Sequence, residues 1–299
     1  MLLYLVVLLV KSGVLYIVVN QLFSLICDTT APHVLRKLPR GMQIRGVTSL
    51  DNLLYVLRAY KSSDQIEVYD KDCYRLQRKL TVHGLVVAAD IAACSRNRCA
   101  YISDGINEHV HRVALPAGSD VRSWWVNDKP FGLSVTGSHS VLVTCREVSK
   151  VKEFSTDGQL LRQLQLPADV IKPRHTIQLS SGHYIACHGL LRHQLHRVCL
   201  LGSDGKVVKS YGGSQGSGSQ QMNVSKQLAV DRNGFVFVAD RCNHRVLLLS
   251  PELTYIREVV SRHELKGGPV RLCLDEDKNR LYVAVNQLPC RGQVVVVSV

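Results

Sequence analysis

The chain has 299 residues, of which 46% are hydrophobic, so it can bury the core of one large domain. Its 37 Lys and Arg residues outnumber its 24 Asp and Glu residues, and the formal net charge of +13 at pH 7 favours an anionic partner, although a basic solvated surface would have the same composition. The ten cysteines are scattered without a Cys-x-x-Cys pair, which excludes a RING-type zinc cluster and is typical of reduced thiols.

The first segment of the chain, residues 1–27, is apolar and long enough for a helix that crosses a bilayer, which needs about 20 residues. It lacks the basic residue before the apolar run and the small-x-small cleavage motif that a signal peptide usually has. Basic residues follow at Arg36, Lys37 and Arg40, and the positive-inside rule then predicts a cytoplasmic location for the rest of the chain. Three interpretations stay open: a membrane anchor, a cleaved signal, and a segment foreign to the natural protein. Residues 28–33 are predicted to be a linker.

From residue 34 onward the sequence consists of short apolar runs bounded by turn-forming residues, which is typical of β-strands. One run recurs at intervals of 41 to 53 residues. A repeat of about 40–45 residues that contains four strands is typical of a propeller blade. We therefore predict that residues 34–299 form one all-β domain, a six-bladed β-propeller. The centres of the recurring second strands are Tyr55, Tyr101, Leu142, Tyr184, Phe237 and Tyr282.

The sixth repeat has no fourth strand before the chain reaches Val299. A segment near the start, Val34–Leu38, resembles the fourth strands of other repeats, such as Leu160–Leu164. We expect this segment to pair with the last strand, Val294–Val297, and to complete blade six. Such pairing would close the ring and remove an open strand edge, which would otherwise invite aggregation.

The fifth repeat contains a recognisable motif. Its sequence, LAVDRNGFVFVADRCNHRVLLLS, follows a Gly-rich lead-in and resembles an NHL repeat. In this motif Asp231, Asp240, Asn243 and Arg245 are expected to tie the turns of the blade together. The resemblance implies a six-bladed propeller of the kind found at the C-terminus of tripartite-motif ubiquitin ligases and of Brain tumor-type translational repressors.

The same resemblance implies a non-catalytic scaffold that selects a target, either a protein or single-stranded RNA, in ubiquitin-dependent turnover or post-transcriptional control. Since the chain has no RING cluster, the ubiquitin-transfer step would require another chain. The sequence also has no G-x-S-x-G, Walker or H-E-x-x-H motif, so we expect neither an enzyme nor a cofactor. The alternative is a propeller enzyme of the lyase or lactonase type, with a metal held by His or carboxylate side chains at the central channel.

In this family, the loops between second and third strands, together with the connections between blades, tend to form the partner-binding face. Basic side chains there would pair with phosphates, while Phe131 and His175 would stack on bases. The histidines of blade four are not spaced to place three on one face, so no metal ligand is predicted. The predicted RNA- or partner-binding residues are Arg58, Lys61, Lys129, Phe131, Arg146, Lys150, Arg174, His175, Arg192, Arg241 and Arg291.

Overall fold

A computed structural model of the chain describes residues 32–59, 64–118, 120–191, 194–218 and 220–299. The apolar segment 1–27, with its predicted helix, and most of the predicted linker lie outside the described residues. In the part of the chain that is described, no helix combines the length and the apolar character needed to cross a membrane.

The strands of the described residues form six antiparallel sheets. Two short strands, β1 (Val34–Lys37) and β2 (Gly41–Met42), come before the first full sheet. Blades one to five then take four consecutive strands each, and the last three strands belong to blade six. In chain order the strands are β3 (Ile44–Leu50), β4 (Leu53–Arg58), β5 (Gln65–Asp70), β6 (Leu76–Thr81), β7 (Ala88–Cys94), β8 (Cys99–Asp104), β9 (His109–Ala114), β10 (Val121–Trp125), β11 (Pro130–Val135), β12 (Val141–Cys145), β13 (Lys150–Phe154), β14 (Leu160–Gln165), β15 (His175–Gln178), β16 (Tyr184–His188), β17 (Leu195–Leu201), β18 (Val207–Ser214), β19 (Ser225–Val230), β20 (Val236–Asp240), β21 (Arg245–Leu249), β22 (Tyr255–Val260), β23 (Gly268–Asp275), β24 (Arg280–Gln287) and β25 (Arg291–Ser298). One short helix, α1 (Arg262–Leu265), precedes β23.

The first strand closes the ring of blades. In blade six the strand order is β1-β25-β24-β23, and β1 pairs antiparallel with β25 in the register Val34↔Val297 and Lys37↔Val295. The next residue, Leu38, continues the pairing through its backbone N–H, which donates to the Val294 carbonyl at 2.9 Å, and its side chain is buried. The prediction that the segment 34–38 completes blade six is therefore confirmed.

The second strand of each blade is buried along its whole length or nearly so, as in β8, β12, β16 and β20. It lies between two other strands of its own sheet, and the faces of its sheet pack against the neighbouring blades. Because both faces of such a strand are covered, its sequence is a continuous apolar run rather than an alternating one. The outer strands, in contrast, are mostly exposed, and β6 and β14 each bury one leucine.

The antiparallel order of the strands gives the ring two distinct faces. Turns between first and second strands, and between third and fourth strands, lie at one end of each blade, which we call the lower face. Turns between second and third strands, and the connections between blades, lie at the opposite end, which we call the upper face. The inner strands surround the axis: β3, β7, β11, β15, β19 and β23.

Substitution of Leu38 by alanine tests the closing strand. Leu38 is 1% exposed, so Leu38→Ala should lower the free energy of unfolding by about 2–5 kcal/mol, because the cavity loosens the contact between the two ends of the ring. Leu35 lies on the same segment but is 43% exposed, so Leu35→Ala should change it by only about 0.5 kcal/mol or less. Urea-induced unfolding measures both. Equal effects of the two substitutions would mean that the segment does not hold the ring.

Candidate functional site

The upper face carries all the predicted partner-binding residues that the structure describes. Lys61 and Arg192 lie outside the described residues. The others end or follow a second strand, begin a third strand, or lie at the start of an inner strand or just before it: Arg58, Lys129, Phe131, Arg146, Lys150, Arg174, His175, Arg241 and Arg291. This placement follows from topology alone, because every one of these positions is at the same end of its blade.

Several of these residues meet around one aromatic ring at the axis. The guanidinium carbon of Arg146 is 5.2 Å from the centroid of the Phe131 ring, and those of Arg174 and Arg271 are each 5.8 Å from it. Lys226 and Arg241 belong to the same cluster, since both interact electrostatically with Arg174. We call this group the cationic mouth, and its members are Phe131, Arg146, Arg174, Lys226, Arg241 and Arg271.

A recurring β-bulge aims residues into the cationic mouth and the axis. In five inner strands the register shifts near the first residue, so that one extra residue faces the second strand. Phe131 in β11 and Lys226 in β19 lie within these shifts, as does Gln227, while Asp90 in β7 and Arg271 in β23 follow the extra residue directly. Arg271 was not predicted from the sequence. It corresponds to Asp90 when the inner strands are aligned at their β-bulges, which the sequence does not reveal.

Two glycines allow the close approach that the mouth requires. A β-carbon at position 132 would lie 2.2 Å from the carbonyl oxygen of Arg174. A β-carbon at position 268 would lie 2.9 Å from the Cγ atom of Arg241. Real side chains do not tolerate such distances, so Gly132 and Gly268 let neighbouring blades bring these two arginines to the axis.

A carboxylate at the axis neutralises one of the cations. The Oδ1 atom of Asp90 accepts a hydrogen bond from the Nε atom of Arg271 at 2.9 Å. The same carboxylate accepts from the side-chain amide of Gln227 at 3.2 Å and from the backbone N–H of Leu133 at 3.1 Å. Asp90 of blade two thereby contacts blades three, five and six. The side-chain oxygen of Gln227 also accepts a hydrogen bond from the backbone N–H of Leu272, in blade six.

The other basic side chains of the mouth lack such a partner. Among the described residues, no carboxylate lies within salt-bridge distance of Arg174, Lys226 or Arg241. Arg146 has only Glu147, at 3.8 Å, and the other oxygen of that carboxylate accepts from Lys172. The upper face therefore concentrates positive charge that the protein does not compensate.

This concentration of charge shifts the pKa of two members of the mouth. Burial, with the arginines at 174, 271, 241 and 146, lowers the pKa of Lys226 to about 6. Burial, with Arg146, Arg271 and Arg241, lowers the pKa of Arg174 to about 10. At neutral pH Lys226 is therefore mostly uncharged, because burial disfavours the charged amine and the arginines around it repel a further proton.

Three predicted binding residues, Arg58, Arg174 and His175, are buried, and the side chains of Arg58 and His175 are held by hydrogen bonds within the protein. Arg58 pairs with Glu67 at 2.6 Å and donates to the carbonyl oxygens of Met42 and Gly292, so it connects blade one to the sheet of blade six. His175 is also buried, with its Nε2 atom 2.9 Å from the Leu133 carbonyl oxygen, and burial lowers its pKa. The prediction that His175 stacks on a base is corrected, because no base can reach its ring. The rim of the upper face instead presents Lys129 and Arg291, whose side chains are exposed, and Lys150, which is half-buried.

The motif residues of blade five act on the backbone. Asp231 accepts from the N–H groups of residues 233 and 235 and so caps the turn between β19 and β20. The buried carboxylate of Asp240 accepts from Asn243 at 2.7 Å and from Arg245 at 2.9 Å. Arg245 also donates to carbonyl oxygens at 217, 218 and 221, and Asn243 donates to that of Gly216. The motif thus holds the Gly-rich stretch against blade five.

Metal binding at the central channel is the alternative to partner binding. In the described ranges, no group of three or more His, Cys, Asp or Glu side chains is arranged to hold a metal ion. The charged groups that meet at the mouth are mainly cations, which would repel a metal ion rather than bind it.

Comparisons with known proteins concern the family and the fold. An NHL-repeat family model matches residues 227–247, and no curated protein matches the sequence. A protein of unknown function from Bacteroides thetaiotaomicron has a TM-score of 0.65, with 13% identity, over 91% of this chain and 73% of that chain. A catalytically inactive virginiamycin B lyase from Staphylococcus aureus, solved with quinupristin, has a TM-score of 0.62, with 7% identity, over 90% of this chain and 99% of that chain. A protein of unknown function from Bacteroides caccae has a TM-score of 0.60, with 14% identity, over 80% of this chain and 84% of that chain.

Identities this low show likeness of fold alone. Fold and motif together define the class: this is an all-β, six-bladed propeller. Its blade five carries an NHL repeat, so the chain is an NHL-repeat propeller. The closer resemblance to the tripartite-motif and Brain tumor-type proteins stays a prediction.

Neutralisation of Asp90 tests the axial network. Asp90→Asn should lower the free energy of unfolding by about 3–5 kcal/mol, because it leaves the buried guanidinium of Arg271 unpaired among other cations. Asp51→Asn is the matched control: Asp51 pairs with Arg98 at 2.6 Å, but both side chains are exposed, so the cost should be about 1 kcal/mol or less. Urea-induced unfolding at neutral pH compares the two. A similar small cost for both would show that the axis does not depend on Asp90.

Replacement of Lys226 by methionine tests the lowered pKa of this lysine in the folded protein. The pKa of this lysine is about 6 in the folded protein and about 10.4 in an unfolded chain, so protonation favours unfolding between these values. Lys226→Met should therefore be more stable than the unaltered protein. Its advantage should grow as pH falls from about 10 towards 6 and stay constant below that. Thermal unfolding at several pH values measures this, with the exposed Lys206→Met as the control that shows no such trend. An advantage that does not change with pH would contradict the low pKa.

Proposed function

We propose that the protein is a non-catalytic binding scaffold whose upper face binds single-stranded RNA. The observation that carries this proposal is the cluster of uncompensated cations at the axis, surrounded by the exposed Lys129 and Arg291 on the rim. A nucleic acid presents regularly spaced negative charges, and neutralising them releases counterions, which drives binding. The net charge of +13 acts in the same direction over a longer range.

The chemistry of the mouth suits an unpaired strand better than a duplex. Guanidinium planes and the half-buried ring of Phe131 are surfaces on which exposed bases stack, and a single strand can offer its bases and its phosphates to one concave site. An acidic protein segment would use the charge of this face but not the stacking surfaces. RNA binding would be consistent with the role in post-transcriptional control that the resemblance to NHL propellers implies, and we propose a cytoplasmic location for it. A role in ubiquitin-dependent turnover would require a RING supplied by another chain.

A charge reversal on the rim tests the proposal without disturbing the buried residues. Lys129→Glu and Arg291→Glu should each weaken binding of a fluorescein-labelled single-stranded RNA by about 5- to 10-fold. Each should also reduce the slope of log affinity against log salt concentration by about one. Fluorescence anisotropy over a salt series measures both quantities.

The control for this experiment lies on the other face. Lys206 is exposed in the turn between β17 and β18, at the lower face, so Lys206→Glu makes the same change of charge away from the mouth. It should leave affinity nearly unchanged. Equal losses for all three variants would mean that only net charge matters, and RNA binding that none of them alters would overturn the proposal. Binding of an acidic peptide but not of RNA would overturn the choice of RNA.

A further inference from the structure

The cations of the mouth have hydrogen-bond donors that the protein does not use. Arg174 is 3% exposed, and its Nε atom donates to the carbonyl oxygen of Gly189 at 3.1 Å. Within the described residues its two terminal nitrogens have no acceptor, and the side chains of Lys226 and Arg241 donate no hydrogen bond. The Nε atom of Arg146 is buried without a hydrogen bond, and the carboxylate oxygen of Glu147 lies 3.8 Å from it. These side chains are buried or half-buried, and their unused donors are available to a ligand that supplies acceptors and negative charge.

We propose that the cationic mouth is a pocket for one phosphate group with two negative charges, bound by Arg146, Arg174 and Lys226 beside the Phe131 ring. The group can be the terminal phosphate of a nucleic acid or a phosphomonoester on a small molecule, which share this chemistry. The pocket rests on the same cluster of side chains as the proposed function, but it differs from it because it does not require a strand across the rim.

Charge and geometry both favour a phosphate dianion over a single carboxylate. Arg271 is neutralised by Asp90, whereas Arg146, Arg174 and Arg241 keep at least part of their charge unpaired. A ligand with two negative charges therefore compensates the mouth better than a ligand with one. Tetrahedral phosphate also offers acceptor oxygens in several directions, and guanidinium groups pair with two of them at once. The donors come from blades three, four and five, so they approach the axis from different sides.

Lys226 makes the pocket sensitive to pH. Burial, together with the charged groups that face it, Arg174, Arg271, Arg241 and Arg146, holds its pKa near 6 in the free protein. A dianion among these groups favours the charged amine and raises that pKa. Binding at neutral pH should therefore take up a proton, and affinity should rise as pH falls towards about 6.

Isothermal titration calorimetry of the full chain with sulfate and with inorganic phosphate tests the pocket. Sulfate is a dianion without a titratable proton near neutrality, so any proton taken up on its binding goes to the protein. Measurement in two buffers with different ionisation enthalpies gives the number of protons. We expect both anions to bind, and sulfate binding to take up a fraction of a proton at neutral pH that disappears below about pH 6.

Two variants assign the effect to the mouth. Lys226→Met keeps the length of the side chain and should weaken both anions by about tenfold or more, as expected for loss of one charge-assisted hydrogen bond, and it should abolish proton uptake. Arg174→Gln should weaken both anions at least as much. If that variant does not fold, Lys226→Met decides alone. Lys206→Met, on the lower face, should change neither affinity nor proton uptake.

Competition with oligonucleotides identifies the source of the phosphate. If a 5′-phosphorylated single-stranded RNA displaces sulfate better than its 5′-hydroxyl counterpart, the pocket takes the end of a nucleic acid. Equal displacement supports a small phosphorylated ligand. The pocket proposal would be overturned if sulfate and phosphate failed to bind. It would also be overturned if they bound Lys226→Met as tightly as the unaltered protein. If anions still bind to Lys129→Glu and Arg291→Glu while RNA binding is lost, the pocket exists independently of RNA binding at the rim.

Discussion

The contact between Asp90 and Arg271 is the interaction on which the arrangement of the axis depends. It removes one positive charge from a place where four arginines and a lysine meet, and it connects blade two with blade six. A buried ion pair often adds little net stability over apolar packing. Here the carboxylate of Asp90 also accepts hydrogen bonds from the Gln227 amide and from the backbone N–H of Leu133. It therefore joins blades that are far apart in the chain. The ion pair therefore fixes the positions of these blades at the axis, in addition to any contribution to stability.

The ring is closed twice, at its outer edge and at its centre. At the edge, β1 pairs with β25, and Arg58 adds hydrogen bonds from blade one to the same region. At the centre, the Asp90 network crosses the axis. Both closures join residues from distant parts of the sequence and limit how far blades can move relative to one another. A rigid ring keeps like charges close together without a ligand, which lowers the cost of organising the site when an anion binds.

The cationic mouth differs in its chemistry from the second strands and from the NHL motif of blade five. The second strands bury continuous apolar runs, and the NHL residues of blade five satisfy each other through hydrogen bonds to Asp240. At the mouth, in contrast, like charges approach one ring, and Arg174 is buried without a counter-ion among the described residues. Features that cost stability at one place in an otherwise consistent fold are typical of sites kept for function.

The amino-acid sequence determined the strands, the repeat, the closing segment at 34–38 and the turn-binding role of Arg245 as an expectation, because runs of apolar residues, turn formers and motif spacing are local properties. Topology alone also placed Arg146, Arg174 and Arg241 at one face. Only the tertiary structure decided which side chains reach the axis. The β-bulges that aim Phe131 and Arg271 leave no mark in composition or alternation, and the burial of Arg58 and His175 depends on neighbouring blades. Contacts between blades are made by residues distant in sequence, so the pattern within one repeat cannot specify them.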